Sequence, residues 1–221
     1  MPKGEPVPSG AAGGGARRSA RAPWGSISRG QVVDAATRIV RQGGYARMTI
    51  RGLAAELRVA PMSLYRHVRD KDDLLAEVVD RLLAERWRPR GDPADWRAWT
   101  AEAAERLRAF LVEQPAALEV YLRRPVVSPA AVERMDAMLA VLGAGGLGHD
   151  EAERAYAAIQ TYTIGFAALE ASRADWTPPA EDPGGLAARL GAFTTPRRFS
   201  EGLGFLLDGF ERRAGLPLGA G

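Results

Sequence analysis

The sequence predicts an all-α fold in two parts: an N-terminal three-helix unit holding a helix-turn-helix, and a larger helical body behind it. Three observations predict this. Apolar residues recur at helical spacing along most of the chain, and no stretch shows the strict alternation of a half-buried strand. Pro and Gly cluster where the periodicity stops, as at 43–44, 89–93 and 143–148. The charge is also divided: residues 1–72 hold 13 Lys and Arg against 5 Asp and Glu, whereas residues 73–221 hold 17 against 22. The net charge of +3 hides this split, which concentrates basic groups on the N-terminal part, as a footprint for phosphate requires.

With 221 residues and 46% apolar content, the chain can bury one or two sizeable cores. It has no cysteine, so a disulfide framework and a thiolate metal site are excluded. No run approaches the length of a membrane span and the N-terminus lacks the apolar core of a signal peptide, so a cytoplasmic protein with no membrane partner is expected.

Residues 1–27 are rich in Gly, Pro, Ala and Ser, carry Arg17, Arg18 and Arg21, and are too poor in apolar surface to offset the cost of ordering. A disordered arm is expected; it either reaches an adjacent minor groove or is an inert extension. Ser28 then caps a helix over 29–42 with Val32, Ala36, Ile39 and Val40 on one face, and Gly43 and Gly44 end it. Tyr45 and Met48 follow as wedges against the next helices.

The stretch TIRGLAAELRVAPMSLYRHVRDK organises the unit. Thr49 caps a helix over 49–57 with Leu53, Ala54 and Leu57 at helical spacing. Arg58, Val59 and Ala60 break the pattern, and Pro61 sits where proline is tolerated, in the first turn of a helix over 61–67. Two helices joined by so short a turn match the arrangement in which the second enters the major groove. Leu64 and Val68 pack inward. Met62, Ser63, Tyr65, Arg66 and His67 then face out, offering hydroxyls to phosphate, apolar surface to thymine methyls and a guanidinium to guanine or phosphate. Lys71 starts the next helix near the DNA backbone. Each of these residues, taken alone, also suits an ordinary core or surface.

The run LAAELRVAPMSLYRHVRDKDDLL, with VVDAATRIVRQGGYARMTIR before it, resembles the DNA-binding domain of the TetR (tetracycline repressor) family. The resemblance covers about residues 28–75. It implies a DNA-binding domain on a helical body that dimerises and binds a small ligand. By position, it puts DNA contacts on Thr49, Arg51, Pro61, Met62, Ser63, Tyr65, Arg66, His67 and Lys71. Arg58 stands where the family usually has a glycine, which places a non-glycine residue at a position of positive φ. Ala60 and Pro61 leave the start of the recognition helix without polar base-reading groups.

Asp70 caps a helix over 71–87 whose Leu74, Leu75, Val78, Val79, Leu82 and Leu83 form a wide apolar stripe, making it the natural lever between the two parts. The body continues with helices over 94–113, 115–122, 128–142 and 150–174, a Pro- and Gly-rich loop over 175–198 around a weakly amphipathic piece at 186–193, and a last helix over 199–214. The domains expected are an arm at 1–27, a DNA-binding domain at 28–74, a ligand-binding and dimerisation domain at 75–214 and a flexible tail at 215–221. The last two long helices combine apolar residues on more than one face with small residues, so they are expected to pair with their copies in a four-helix homodimer interface.

Trp87, Trp99, Ala103, Leu107, Phe110, Tyr121, Met135, Met138, Gln160 and Phe166 lie on helices expected to face one another. Tyr121 and Gln160 among apolar neighbours give the composition of an apolar pocket with a few orienting groups, although such a stripe also suits plain core. The segments WRAW, YLRRP and GFAALE resemble the C-terminal domain of the tetracycline repressor subgroup. That subgroup's drug–magnesium site uses two histidines, and the corresponding positions here are Trp87 and Tyr121, neither a good magnesium ligand. His67 and His149 are the chain's only histidines. An apolar or aromatic effector bound without metal or cofactor is therefore expected.

An enzyme finds no support: the two histidines lie far apart, there is no phosphate-cradling glycine loop, and Glu102 and Glu105 fit a solvated helix face. The reading is a homodimeric, ligand-released repressor that binds double-stranded DNA at a palindromic operator. The alternatives are a DNA-binding protein without an effector and a small-molecule binder that has lost specific DNA binding.

Overall fold

The computed structural model describes residues 27–123, 128–173, 185, 189–190 and 192–215, and among them every extended element is helical. The arm expected at 1–27, except Ile27, and most of the 175–198 loop lie outside the described residues, as does all of the expected tail beyond Gly215. In order, the helices are α1 (Arg29–Gly43), α2 (Ile50–Leu57), α3 (Pro61–Leu64), α4 (Lys71–Trp87), α5 (Trp96–Glu113), α6 (Pro115–Arg123), α7 (Pro129–Ala144), α8 (His149–Arg173) and α9 (Pro196–Ala214).

The helix starts are set by side chains that accept the unpaired N–H groups of the first turn. Ser28 Oγ accepts from the Gln31 N–H at 3.2 Å, and Gln31 Oε1 accepts from the Ser28 N–H at 2.8 Å, a reciprocal capping box. Thr49 accepts from Gly52, Asp70 from Asp73, Asp95 from Ala98 and Ser128 from Ala131. Asp95 places the start of α5 at Trp96, two residues later than expected. α9 begins at Pro196, three residues before the expected 199, because Thr195 accepts from the Arg198 N–H and Pro196 fits the first turn. α3 is shorter than the expected 61–67. Its cap, Ala60, has no side-chain acceptor, and beyond Leu64 the chain tightens, with the His67 N–H donating to the Leu64 carbonyl at 2.9 Å. His149, expected in a turn, opens α8 instead.

Val32, Ala36, Met48, Leu53, Leu64 and Leu74 are fully buried and form the core that fixes α2 and α3 against α1 and α4. The turn between α2 and α3 hinges on Arg58, at φ 54° and ψ 43°, whose N–H closes on the Ala55 carbonyl at 3.2 Å. A β-carbon in this left-handed region costs about 1 kcal/mol or more. Arg58→Gly is therefore expected to raise the unfolding free energy by about 1 kcal/mol, read as a higher urea midpoint at unchanged slope.

Four ion pairs tie α1 along α4: Arg29 with Asp73 and Glu77, Asp34 with Arg81, and Arg41 with Glu85. Both partners advance together in number, so the two helices run side by side in the same direction. α4 is thereby fastened to the N-terminal unit along most of its length. It continues unbroken across the boundary expected at residue 74, carrying Asp80, Leu83 and Trp87 into the body.

The body is built around α5 and α8. Ala152, Ala155, Ile159, Thr163 and Ala167 are the buried stripe of α8, and their mostly small side chains let α5 pack closely against it. α9 is held on this pair by Phe199, which stacks on Tyr162 at 5.2 Å and meets Phe166 edge-on at 5.2 Å. Buried Arg108 lies over the same ring at 5.4 Å and pairs with Glu105 and Glu170. Among the described residues no helix is long and apolar enough to cross a membrane.

Candidate nucleic-acid interface and effector cavity

The outer face of α2 and α3 is formed by exposed Thr49, Arg51, Pro61, Met62, Tyr65 and Arg66, with Lys71 exposed at the start of α4. Met62 is 73% exposed and Tyr65 47% exposed. Large apolar and aromatic side chains held out in this way on so small a helical unit present contact surface rather than core. Ser63 and His67 are half-buried at the edge of the face, and the His67 carbonyl accepts a hydrogen bond from Arg29. The Thr49 hydroxyl oxygen is taken by the Gly52 N–H at 3.0 Å, which leaves its proton available to a phosphate oxygen.

The basic residues of this unit fall into two groups. Arg29, Arg38, Arg41 and Arg69 are paired with the protein's own carboxylates. Arg47, Arg51, Arg58, Arg66 and Lys71 form no ion pair among the described residues; all five are exposed, Arg47 beside Gly43 at the end of α1 and the other four on the α2–α3 side. The charge left for an external polyanion is therefore smaller than the sequence total and is focused on the recognition face.

In the body, Trp87, Ala103, Leu107, Tyr121, Met138 and Gln160 surround one cavity, as the sequence reading expects, with Leu83, Ala104, Tyr156 and Ile159 completing its apolar wall. The space they enclose is about 20 Å³, enough for a single water. The other four residues expected there lie elsewhere. Trp99 meets Trp87 edge-on at 5.7 Å and faces an outer groove of about 300 Å³ between α4, α5 and α7. Phe110 is buried in the core, Met135 is half-buried on α7, and Phe166 belongs to the Phe199 cluster.

Besides Leu83, Ala104, Tyr156 and Ile159 of the wall, two polar cavity residues escaped the sequence reading. Arg134, on α7, pairs with Asp80 of α4, and Thr163 sits fully buried on α8. Asp80 is 2% exposed, and its second oxygen accepts from the Ser128 hydroxyl. Arg134 Nη2 also lies 3.4 Å from the Tyr121 hydroxyl. The only sequence signal would have been charged residues on otherwise apolar helix faces, a pattern more often produced by solvated surface.

These residues do not fit the subgroup's magnesium ion. The Trp87 indole offers no lone-pair donor, and burial pushes the Tyr121 phenol from 10.0 up to about 12, so it stays neutral. Asp80, the nearby carboxylate, already has both oxygens engaged, and no cluster of three metal-ligating side chains occurs among the described residues.

The raised Tyr121 pKa has a definite sign. The folded state holds the proton more tightly than the unfolded chain, so the contribution to stability is complete below pH 10 and is lost as pH rises towards 12. Tyr45, also raised to about 12 by burial, adds to the same decline. Tyr121→Phe is expected to flatten part of it, seen as a Tm difference that shifts in favour of the variant between pH 9 and 12.

An exposed helix-turn-helix face joined through one continuous helix to an all-helical body with an internal cavity defines a DNA-binding regulator of the helix-turn-helix class. Residues 32–78 match the family described as bacterial regulatory proteins, tetR family, and residues 88–186 match the tetracyclin repressor-like C-terminal domain. The chain belongs to the TetR family of transcriptional regulators, a family of regulators rather than enzymes.

It is 34% identical over 156 residues to the HTH-type transcriptional repressor DrrR1 of Streptomyces coeruleorubidus, covering 68% of this chain and 56% of that protein. The chain thus spans little more than half the length of this relative. The Streptomyces coelicolor TetR family protein ActR in complex with (S)-DNPA superposes with a TM-score of 0.69 at 26% identity, covering 86% of this chain and all of that one. BioQ with its double-stranded DNA operator, a protein of Mycobacterium smegmatis, gives 0.59 at 28% identity over 85% of this chain and 99% of that one.

Proposed function

We propose that the protein is a cytoplasmic, homodimeric, ligand-released repressor that binds a palindromic operator through Thr49, Arg51, Pro61, Met62, Ser63, Tyr65, Arg66, His67 and Lys71. The observation that carries the reading is the exposed Met62–Tyr65–Arg66 face with its cluster of unpaired cations, set on the same rigid unit as α4. The recognised chemistry is mixed: hydroxyls and cations for phosphate, Arg66 and apolar surface for base edges. DrrR1 is a repressor by name, and BioQ has been captured on its operator.

Dimerisation is supported by a face of α8 on which Ala157, Thr161, Gly165 and Leu169 recur every four residues, all exposed and none charged. On α9, Phe205 is 74% exposed. A β-carbon added at Gly165, Gly204 or Gly209 would meet only open space, so a partner helix can approach the backbone closely. A second copy covering these faces holds two recognition helices about one DNA turn apart, roughly 34 to 36 Å.

The effector enters the cavity around Trp87, Leu107, Tyr121, Met138 and Gln160; the similar ActR has itself been captured in complex with a small molecule, (S)-DNPA. Opening a space of about 20 Å³ to admit it requires Leu83 and Trp87 to move. Both are on α4, which is fastened to α1, so a ligand that shifts the α4 backbone as well as these side chains carries the recognition helix with it. A few kcal/mol of preference for the DNA-incompetent state is sufficient to release the operator.

Selection of duplexes from a random pool by the purified protein tests the function. An enriched inverted repeat is expected, with enrichment lost in a Met62→Ala, Tyr65→Ala double variant. A sequence-blind pool from the wild type contradicts the proposal.

A further inference from the structure

The cavity wall contains polar atoms that the protein does not satisfy. Arg134 Nη1 and Thr163 Oγ1 are both buried without a hydrogen-bond partner among the described residues, and both belong to residues lining the cavity. Buried polar groups are almost always paired, so two orphans in one small cavity mark a place where a ligand completes the bonding. Most of the unmet capacity is on the donor side, although the Thr163 oxygen can also accept. Arg134 Nη1 carries two N–H groups, the Thr163 hydroxyl has its proton free, and Tyr156, whose oxygen accepts from Gln160 Nε2 at 2.7 Å, can still donate. On the acceptor side, both oxygens of the nearby carboxylate, Asp80, are engaged by Arg134 and Ser128.

Arg134 also stands at the entrance. It and Trp87 line both the inner cavity and the outer groove of about 300 Å³ beside Pro89, Trp99 and Ala130. A ligand that joins the two spaces passes the guanidinium and must settle its chemistry with it.

We infer that the effector is an organic acid, an anionic oxygen group on an apolar or aromatic body, and that it acts by taking the Arg134 guanidinium from Asp80. This rests on the cavity being the effector site. Arg is suited to the role because its planar fork serves two anions from separate edges, and its bonds to an ionised acceptor are about twice as strong as neutral ones. An incoming anion turns a neutral buried pair into a cluster with one surplus negative charge. Burying an uncompensated charge is costly, so the cluster relaxes by expelling one anion. Asp80 is the one attached to a movable lever. Its departure from Arg134 and Ser128 releases α4 from α7, and α1 and the recognition helix follow through the α1–α4 ion pairs. A neutral ligand of the same shape fills the cavity without competing for Arg134 and leaves α4 in place. The effector is thus narrower in class than the apolar or aromatic ligand read from the sequence.

The test uses sodium 2-naphthoate and 2-naphthamide, which share a ring system and differ in charge. Each is titrated calorimetrically into the full chain and into an Asp80→Asn, Arg134→Gln double variant, which replaces the ion pair by a neutral hydrogen-bonding pair and so avoids a lone buried charge. The acid is expected to bind wild type at least tenfold more tightly than the amide and to weaken binding to the selected duplex at least tenfold. The double variant is expected to keep amide binding, lose the preference and hold the duplex in the presence of acid. An amide that binds wild type as well as the acid, or a preference that survives in the double variant, overturns the inference while leaving the cavity as an effector site. If neither compound binds wild type, the cavity reading and the inference fall together.

Discussion

Arg134→Ala is expected to lower the unfolding free energy by about 3 to 5 kcal/mol, the cost of breaking a buried ion pair on one side. The reason is what the substitution leaves behind. Asp80 is almost wholly buried on α4, and without Arg134 its carboxylate keeps only the Ser128 hydroxyl. A carboxylate in that position must either stay charged at high cost or take up a proton. Adding Asp80→Asn to Arg134→Ala removes the charge and is expected to recover a large part of the loss, so the two changes are strongly non-additive. Urea unfolding of the four chains in the cycle measures this directly. Additive losses from the two single variants would mean that the pair is not coupled as its geometry requires.

The second large effect concerns DNA and separates two kinds of contact. Arg66→Ala is expected to cost about 1 to 3 kcal/mol of operator affinity and to relax sequence preference at one position of each half-site, because a guanidinium on the recognition face reads a base edge. Lys71→Ala is expected to weaken binding evenly across sequences and to reduce the slope of log affinity against log salt by about one. Lys71 lies at the first turn of α4, beside the recognition helix rather than on it. Titrating both variants against the selected duplex and a scrambled one at several salt concentrations distinguishes these outcomes. Equal losses on both duplexes for Arg66→Ala would move that residue to the phosphate backbone.

Much of the N-terminal unit was legible in sequence because its signals are local. Ser28 with Gln31, Thr49 before the 50–57 helix, and Asp70 with Asp73 are caps that work within a single turn, and each defines the helix it precedes. Arg58 was recognisable as a left-handed residue only through the resemblance, because the family usually has a glycine at that position of the turn. The start of α9 was obscured because Thr195 and Pro196 close a proline-rich stretch, where the same residues read equally well as loop. The recognition helix looked longer than it is because periodicity does not register a tightening of hydrogen bonds after Leu64.

The cavity was legible where it depends on apolar packing and illegible where it depends on long-range pairing. Trp87, Leu107 and Met138 follow from stripes on single helices. The Asp80–Arg134 pair spans 54 residues, and each member alone resembles the solvated charges around it. Charge counting had the complementary failing: it credited Arg29, Arg38 and Arg41 to DNA binding, whereas Glu77, Glu56 and Glu85 neutralise them. Only the three-dimensional arrangement separates cations that hold the fold from those left for a partner.

In the proposed dimer two recognition faces, joined through α8 and α9, engage one side of a duplex together. Inserting about five base pairs, half a helical turn, between the half-sites of the selected operator tests this most directly, since it rotates one half-site to the opposite side of the DNA. The account predicts a loss of affinity of about a hundredfold or more, with partial recovery when about ten base pairs are inserted and the half-sites return to the same side. Affinity unchanged by the half-turn insertion would contradict it, because each recognition face would then be binding alone.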